Sequence, residues 1–445
     1  MTPHLRLLVR RPTDAGIWWL VLIGLSLQNR VLLAEVEVPN VVLIMADDSA
    51  VDNYSCYGST YFSTPRIDEL ARTGAKFNHC YSEPVCTSSR VKIMTGRDGY
   101  RNYVRFGTLD RSETTFGTVL QDAGYATAVA GKWQLQGAPN GSLAPECGFS
   151  SYCLWNYPGT DRSRFWHPSI VQNGRLLHTT ERDYGPDIFL KFVTEFIHQN
   201  KNRPFFVYYP MVLVHSPFVR TPDSLDGKAK SLTLFRDMTA YADKCVGRLV
   251  DVLEEHGVRE NTVVIYTTDN GTGRSLTYPF ADEQRKGEKA YATEGGTHAP
   301  LIVNCPELVP AGTVSDDLVD FSDFLPTLAD MTGAVLPDVE LDGRSFWPQC
   351  AGREGNPRQW IRQYYYPKFG PAAENHGQGV NDREIIWAQN QRYKLYNDNS
   401  FFAVADRHET EPIESGTGGD DAEACRQLLR AALDELPSKA VRLDP

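Results

Sequence analysis

The chain has 445 residues, 41% of them hydrophobic and 23% charged, with a formal net charge of −11. That length exceeds one small domain, the composition suits a globular core, and the acidic balance argues against a nucleic-acid partner, whose phosphates need a basic surface. It does not exclude an anionic small substrate, because a local cluster of Lys, Arg and His reverses the field inside a cleft.

In chain order, Arg6, Arg10 and Arg11 precede an apolar run from Ile17 to Leu27, and Ala34 is a small residue before Glu35. Basic, apolar and small-residue segments in that order predict a secretory signal over residues 1–34, hence an exported protein, periplasmic or extracellular. The apolar run is short for a bilayer and is ended by Gln28, Asn29 and Arg30, so no stable membrane span is expected. Asn40–Ala46 is then an almost unbroken apolar run of strand length, suited to a strand buried on both faces of a parallel sheet. Ala126–Ala130, Phe205–Tyr209, Val263–Thr267 and Leu301–Asn304 read the same way.

Helices are predicted between these runs. Thr64-Pro65 opens one, with proline in its first turn. Small polar residues before Val91, Ile93 and Met94 start another at Cys86. Thr115–Ala123 ends at Gly124, and longer amphipathic stretches cover Asp187–His198, Thr233–Glu255 and Asp317–Met331. Strand alternating with helix implies an α/β fold around a large, mostly parallel sheet. After Gly352 the pattern changes to short aromatic and β-branched pieces, Tyr364–Pro367, Glu384–Ala388, Arg392–Tyr396 and Phe401–Val404, followed by a helix over Ala422–Leu436. We therefore expect an α/β domain over 35–352 and a small antiparallel-sheet subdomain over 353–445. Nine cysteines permit disulfides in an exported chain, and Cys147 with Cys153 is one conceivable pair.

Candidate chemistry gathers at strand ends, where open α/β sheets bind ligands. Asp47 and Asp48 follow the first strand, and Asp269-Asn270-Gly271 follows Val263–Thr267. Each alone is an ordinary cap or turn. Together they offer three carboxylates and a carboxamide, a set suited to a hard divalent cation. Lys132 and Gln134 follow the Ala126–Ala130 strand, His215 follows Phe205–Val214, and Lys289 precedes Glu294-Gly-Gly-Thr-His298. Residues 86–97 read Cys-Thr-Ser-Ser-Arg-Val-Lys-Ile-Met-Thr-Gly-Arg: a thiol at a helix start, with Arg90 four positions on. Three sequon patterns, at Asn53, Asn140 and Asn270, carry little weight without a known host.

The Cys86–Arg97 stretch resembles the modification motif of the type I, formylglycine-dependent sulfatases of the alkaline-phosphatase superfamily, Cys-x-Pro-Ser-Arg-x-x-x-Leu-Thr-Gly-Arg. Ser88 stands for the usual proline and Met94 for leucine. The resemblance covers nearly the whole chain after the signal and implies the alkaline-phosphatase-like fold, with catalysis in the 35–352 domain. It implies that a formylglycine-generating enzyme oxidises Cys86, whose hydrated aldehyde attacks sulfur. It also implies one Ca2+ held by Asp47, Asp48, Asp269, Asn270 and residue 86. Arg90 would fix the modified residue, while Lys132, His215 and Lys289 hold the sulfate. Gln134 takes the place of a family histidine that assists deprotonation of the hydrate, and His298 that of an arginine. The activity implied is hydrolysis of a sulfate ester, with a sulfated carbohydrate as the expected substrate. Trp155, Tyr157, Trp166 and Tyr364–Tyr366 are candidate sugar platforms. Two other readings stand beside it. One is phosphodiester or phosphonate monoester hydrolysis on the same scaffold. The other is a sulfated-glycan-binding protein without turnover, suggested by Ser88 and Gln134.

Overall fold

The apolar run at Asn40–Ala46 is the middle of the molecule, a strand with every residue buried. The computed structural model describes residues 38–135, 143–156, 163–225, 228–366 and 384–436. The expected signal, Asn140 and Tyr157 lie outside the described residues. In chain order the strands are β1 (Asn40–Ala46), β2 (Ala75–Tyr81), β3 (Ala126–Gly131), β4 (Ser151–Trp155), β5 (Ile170–Gln172), β6 (Arg175–Leu176), β7 (Phe205–Pro210) and β8 (Thr262–Thr268). There follow β9 (Thr277–Phe280), β10 (Glu283–Lys286), β11 (His298–Asn304), β12 (Thr313–Asp320), β13 (Ile361–Tyr365), β14 (Ile385–Gln389), β15 (Tyr393–Tyr396) and β16 (Phe401–Ala403).

A ten-stranded sheet runs β12-β2-β11-β8-β1-β7-β3-β4-β5-β6. Its centre, β8-β1-β7-β3-β4, is parallel throughout. Alternate residues of these strands feed two cores. Val41, Leu43, Met45, Phe206, Tyr208 and Ile265 face one side. Val42, Ile44, Val207, Tyr209, Val264 and Tyr266 face the other. Burial on both faces is why the runs carry no polar alternation.

The principal helices are α1 (Pro65–Arg72), α2 (Cys86–Thr95), α3 (Phe116–Asp122), α4 (Gly185–Asn200), α5 (Ser231–Glu255), α6 (Phe324–Thr332) and α7 (Gly419–Asp434). Helices α4 and α5 close one face through Phe189, Val193, Met238 and Leu249. Helices α2, α3, α6 and α7 close the other through Ile93, Leu120, Leu328 and Leu429. At α3, Thr115 accepts the Thr118 N–H with its side chain, the cap expected of its position. After residue 360, β13-β14-β15-β16 form an antiparallel sheet followed by α7, as the aromatic segments suggested.

Three expectations change. Asp317–Met331 is not one helix: Thr313–Asp320 is strand β12, and the chain turns helical only after a capping box between Asp320 and Asp323. Leu301–Asn304 belongs to a strand that runs antiparallel to both neighbours. All nine cysteines are free thiols, and Cys147 cannot meet Cys153, since they pack into cores on opposite faces of the sheet. Asn53 and Asn270 are buried at 0% and 1% exposure, so neither sequon is accessible in the fold.

Candidate active site

The parallel strands deliver their functional residues to one edge because all of them end there. Past the strands, backbone bonds keep the loops in step: Asp47 N–H donates to Leu213 O (2.8 Å), Val214 N–H to Asp47 O (2.8 Å) and Asp269 N–H to Ala46 O (3.0 Å). Lys132 N–H donates to Pro210 O at 2.7 Å, which fixes the β3 end against β7. This junction requires Gly131. Its φ is +119°, and a Cβ there would lie 2.0 Å from Pro210 O. Asp48 and Gln134 also adopt left-handed backbone, φ 61° and 54°. For non-glycine residues that is a local cost held in place by the surroundings.

Lys132 Nζ lies 2.6 Å from Asp47 Oδ1, and Lys289 Nζ lies 2.6 Å from Asp48 Oδ1. Arg90 is fully buried; it donates to Lys132 O (2.6 Å) and Asp269 Oδ2 (2.8 Å). Burial alone would raise the Asp47 carboxyl, but the Lys132, Arg90 and Arg164 cations reverse this and hold it well below the usual range. Asp48 is likewise lowered against burial, with Lys289 beside it. Asp269 goes the other way, pushed up to about 6 by burial and by the charge of Asp47.

His215 falls to about 3, chiefly through burial and also through the Lys289 and Lys132 charges, so it is neutral at physiological pH. Its Nδ1 is 2.6 Å from Ser216 O. A carbonyl only accepts, so Nδ1 carries the proton and Nε2 carries the lone pair, 3.5 Å from Asp48 Oδ2.

A divalent cation fits this donor set. Asp47, Asp48 and His215 each place a ligand atom within 4.8 Å of the others. Asn270 Nδ2 donates to Asp48 Oδ1 (2.8 Å) and Gly271 O (2.9 Å), which leaves Oδ1 of the same amide buried without a hydrogen-bond partner. Buried carboxylate, carboxamide and imidazole groups suit a hard or borderline divalent ion. Asp269 is present but turned: its Oδ2 accepts from Arg90 and its Oδ1 from the Asp48 N–H at 3.1 Å.

Cys86 opens helix α2 at 2% exposure. Its thiol lies within electrostatic reach of Arg90, Arg164 and Lys289. The approach is pinned locally: Glu83 N–H donates to Ser89 Oγ, whose hydroxyl donates to Glu83 O, both at 3.0 Å. Ser88 occupies the third helical position, where a proline loses no helical hydrogen bond, and instead donates its hydroxyl to Val85 O at 3.0 Å. One turn on, Lys92 is buried among Asp320 (2.8 Å), Glu83 (3.1 Å), Gln363 Oε1 (2.7 Å) and Arg362 O (3.2 Å), tying the helix to β12 and β13. Ala290 N–H donates to Pro84 O at 2.9 Å, which docks the Lys289 loop on the Cys86 approach.

Cys86, Arg90, Lys132, His215, Lys289, Asp47, Asp48, Asp269 and Asn270 thus share one edge. Gln134 follows Lys132, its Oε1 buried without a partner. His298 stacks on Tyr81 and bonds to Asn78 O at 2.8 Å. Tyr364 and Tyr365 are 3% and 0% exposed and belong to the core, so they are not sugar platforms. Sequence reasoning missed Arg164. Its Nη1 is 3.4 Å from Asp47 Oδ2 and its guanidinium carbon 4.0 Å from the Trp155 ring centroid. It follows β4 in a loop with no motif, so no local pattern announces it. It also missed the props behind Lys289, where Glu288 meets His408, and Arg407 pairs with Asp52 at 2.8 Å.

Comparison with known proteins identifies the family. A family model described as Sulfatase matches residues 39–334, and a second, described as N-sulphoglucosamine sulphohydrolase, C-terminal, matches 283–436. Human arylsulfatase A is 31% identical over 371 residues, covering 76% of this chain and 72% of its own. An N-acetylglucosamine-6-O-sulfatase of Bacteroides thetaiotaomicron is 24% identical, covering 77% of this chain and 76% of its own. The crystal structure of Ps i-CgsB shares the fold with a TM-score of 0.74 at 22% identity, over 92% of this chain and 96% of that one. The chain belongs to the sulfatase family of the alkaline-phosphatase superfamily and is a sulfuric ester hydrolase.

Proposed function

We propose that the protein releases sulfate from a sulfated carbohydrate, using a formylglycine made from Cys86 and one Ca2+ held by Asp47, Asp48, Asp269 and Asn270, next to residue 86. The observation that carries this reading is the convergence of Cys86, Arg90, Lys132 and Lys289 on the buried Asp47–Asp48 pair. Two matches point to sugar substrates: a relative is an N-acetylglucosamine-6-O-sulfatase, and the C-terminal model is named for an N-sulphoglucosamine hydrolase.

When bound, the ion supplies Lewis-acid polarisation and lowers the pKa of an attacking hydroxyl. The chain's own residues do the rest. Arg90 holds the Lys132 backbone and Asp269 in register through its forked donors, and its charge lies within reach of residue 86. Lys132 and Lys289 place fixed positive charge where the sulfuryl oxygens gather negative charge, in a buried setting where each contact is stronger than in water. Neutral His215 offers a lone pair at Nε2 rather than a proton, and Lys289, kept charged by Asp48, steadies the departing alkoxide by a hydrogen bond until water protonates it. Gln134 Oε1, which has no partner in the fold, can accept a hydrogen bond from the substrate or residue 86 but cannot take up a proton.

The same reading gives export behind a signal peptide at 1–34, maturation by a formylglycine-generating enzyme, a catalytic domain over 35–352 and a supporting subdomain over 353–445. The test is the mass of the tryptic peptide Phe77–Arg90 from protein made in its own host, alongside assay of released sulfate. We expect an aldehyde at position 86 and sulfate release from a sulfated saccharide. An intact Cys86 thiol would refute the formylglycine mechanism. Tight binding of the saccharide with no sulfate released would leave a binding protein instead.

A further inference from the structure

Beyond its long contact with Asp47, Arg164 is placed as a recognition group. Asp47 is already paired with Lys132 at 2.6 Å, and the 3.4 Å contact with Asp47 is the only hydrogen bond Arg164 makes among the described residues. The guanidinium lies over Trp155, the last residue of β4, so its platform is part of the central sheet. Its backbone is equally fixed. Phe165 N–H donates to Ser163 Oγ (2.9 Å), Gly185 N–H donates to Phe165 O (2.7 Å), and a Cβ on Gly185 would lie 2.1 Å from Arg164 O. The side chain keeps 12% of its surface exposed, and Nη1 is the one donor of the fork in a hydrogen bond among the described residues. A stacked, pre-positioned guanidinium with free donors is suited to a planar or tetrahedral oxyanion.

The charge balance of the site points the same way. Arg90, Lys132, Arg164 and Lys289 face Asp47, Asp48 and Asp269, four cations against three carboxylates. A divalent cation adds two further positive charges, and one sulfate ester returns a single negative one. The site therefore remains strongly positive around a monosulfated sugar. Arg164 is the cation to which the sulfatase reading assigns no part in holding the scissile sulfate.

Resting on that sulfate-ester reading, we propose that Arg164 binds a second anionic group of the substrate, a further sulfate or a carboxylate, so that the enzyme selects polyanionic saccharides. The test uses the full chain with Ca2+ and compares wild type with Arg164→Gln, which removes the charge and keeps the stem over Trp155. Three ligands are titrated by calorimetry and assayed for sulfate release: N-acetylglucosamine 6-sulfate, glucosamine 2-N,6-O-disulfate, and a 6-sulfated disaccharide containing a uronate. A charge-assisted hydrogen bond corresponds to roughly a ten- to hundredfold change in affinity. Because Arg164 also touches Asp47, the monosulfated ligand reads that shared effect, and we expect the loss of affinity and rise in KM for the disulfated or the uronate ligand to exceed it by roughly tenfold. Whichever doubly charged ligand loses affinity identifies the second anion as sulfate or carboxylate. Equal loss for all three ligands, or for none, would overturn the proposal while leaving the sulfatase reading intact. Failure of wild type to bind or cleave any of them would overturn both.

Discussion

Replacing Asp48 by Asn removes one charge at constant shape and tests the electrostatic design of the site. Asp48 Oδ1 accepts from Lys289 Nζ (2.6 Å) and Asn270 Nδ2 (2.8 Å), and the residue is 4% exposed. Breaking a buried ion pair on one side costs about 3–5 kcal/mol. Lys289 keeps 20% of its side chain exposed, and Asp47 is relieved of a like charge, so the low end applies, ~3 kcal/mol. Unfolding entropy of about 2.1 cal/mol/K per residue over roughly 400 residues converts this to a Tm drop near 4 °C in the metal-free protein. Calcium at about a thousand times its Kd would stabilise wild type by ~4 kcal/mol, or some 5 °C, and most of that increment should vanish in Asp48→Asn along with sulfate release. Scanning calorimetry with chelator and with calcium reads both effects. A variant with wild-type Tm in chelator and the full calcium increment would show that Asp48 neither pairs with Lys289 nor holds the ion.

Two more expectations follow from groups outside the metal set. Glu83 is pushed up to about 8, by burial first and then by Asp98 and Asp320, although Lys92 opposes the shift. Lys92 stays charged through its 2.8 Å contact with Asp320, and Glu83 keeps one oxygen unpartnered, so Glu83 is the weaker partner. Between pH 4.5 and about 8 the folded protein holds a proton that the unfolded chain has released, so stability from this group is lost as pH rises through that window. Glu83→Gln should flatten that fall, by at most ~1.4 kcal/mol per pH unit, and urea midpoints that stay parallel for the two proteins from pH 5 to 8 would contradict it. Gly131→Ala should cost about 3 kcal/mol through its clash with Pro210 O and its positive φ. Gly124→Ala, with φ +88° and nothing within 4 Å of the new methyl, should cost only ~1 kcal/mol. Similar denaturation midpoints for the two variants would remove the steric argument for the β3–β7 junction.

The parallel centre of the sheet was legible because β1, β3, β7 and β8 are buried on both faces, which leaves unbroken apolar runs. Strand β2 was not, since Lys76, Asn78 and His79 interrupt it where one side is only partly covered. The Asp317–Asp320 segment reads as helix by composition, yet it pairs with β2 and passes helical control to Asp320 only at its end. Local propensity lost there to a ladder partner more than two hundred residues away.

The sequence by itself determined the strand-end carboxylates, the Cys86–Arg90 spacing and the order of Lys132, His215 and Lys289, because each depends on residues adjacent in the chain. Only the tertiary structure decided which charges pair. Lys132 meets Asp47 across 85 positions and Lys289 meets Asp48 across 241. It also decided that His215 is discharged, that Lys92 anchors the Cys86 helix, and that Arg164 faces the same edge. Pairing and desolvation depend on distances between strands, and those distances are fixed by sheet order and side-chain packing rather than by any local motif.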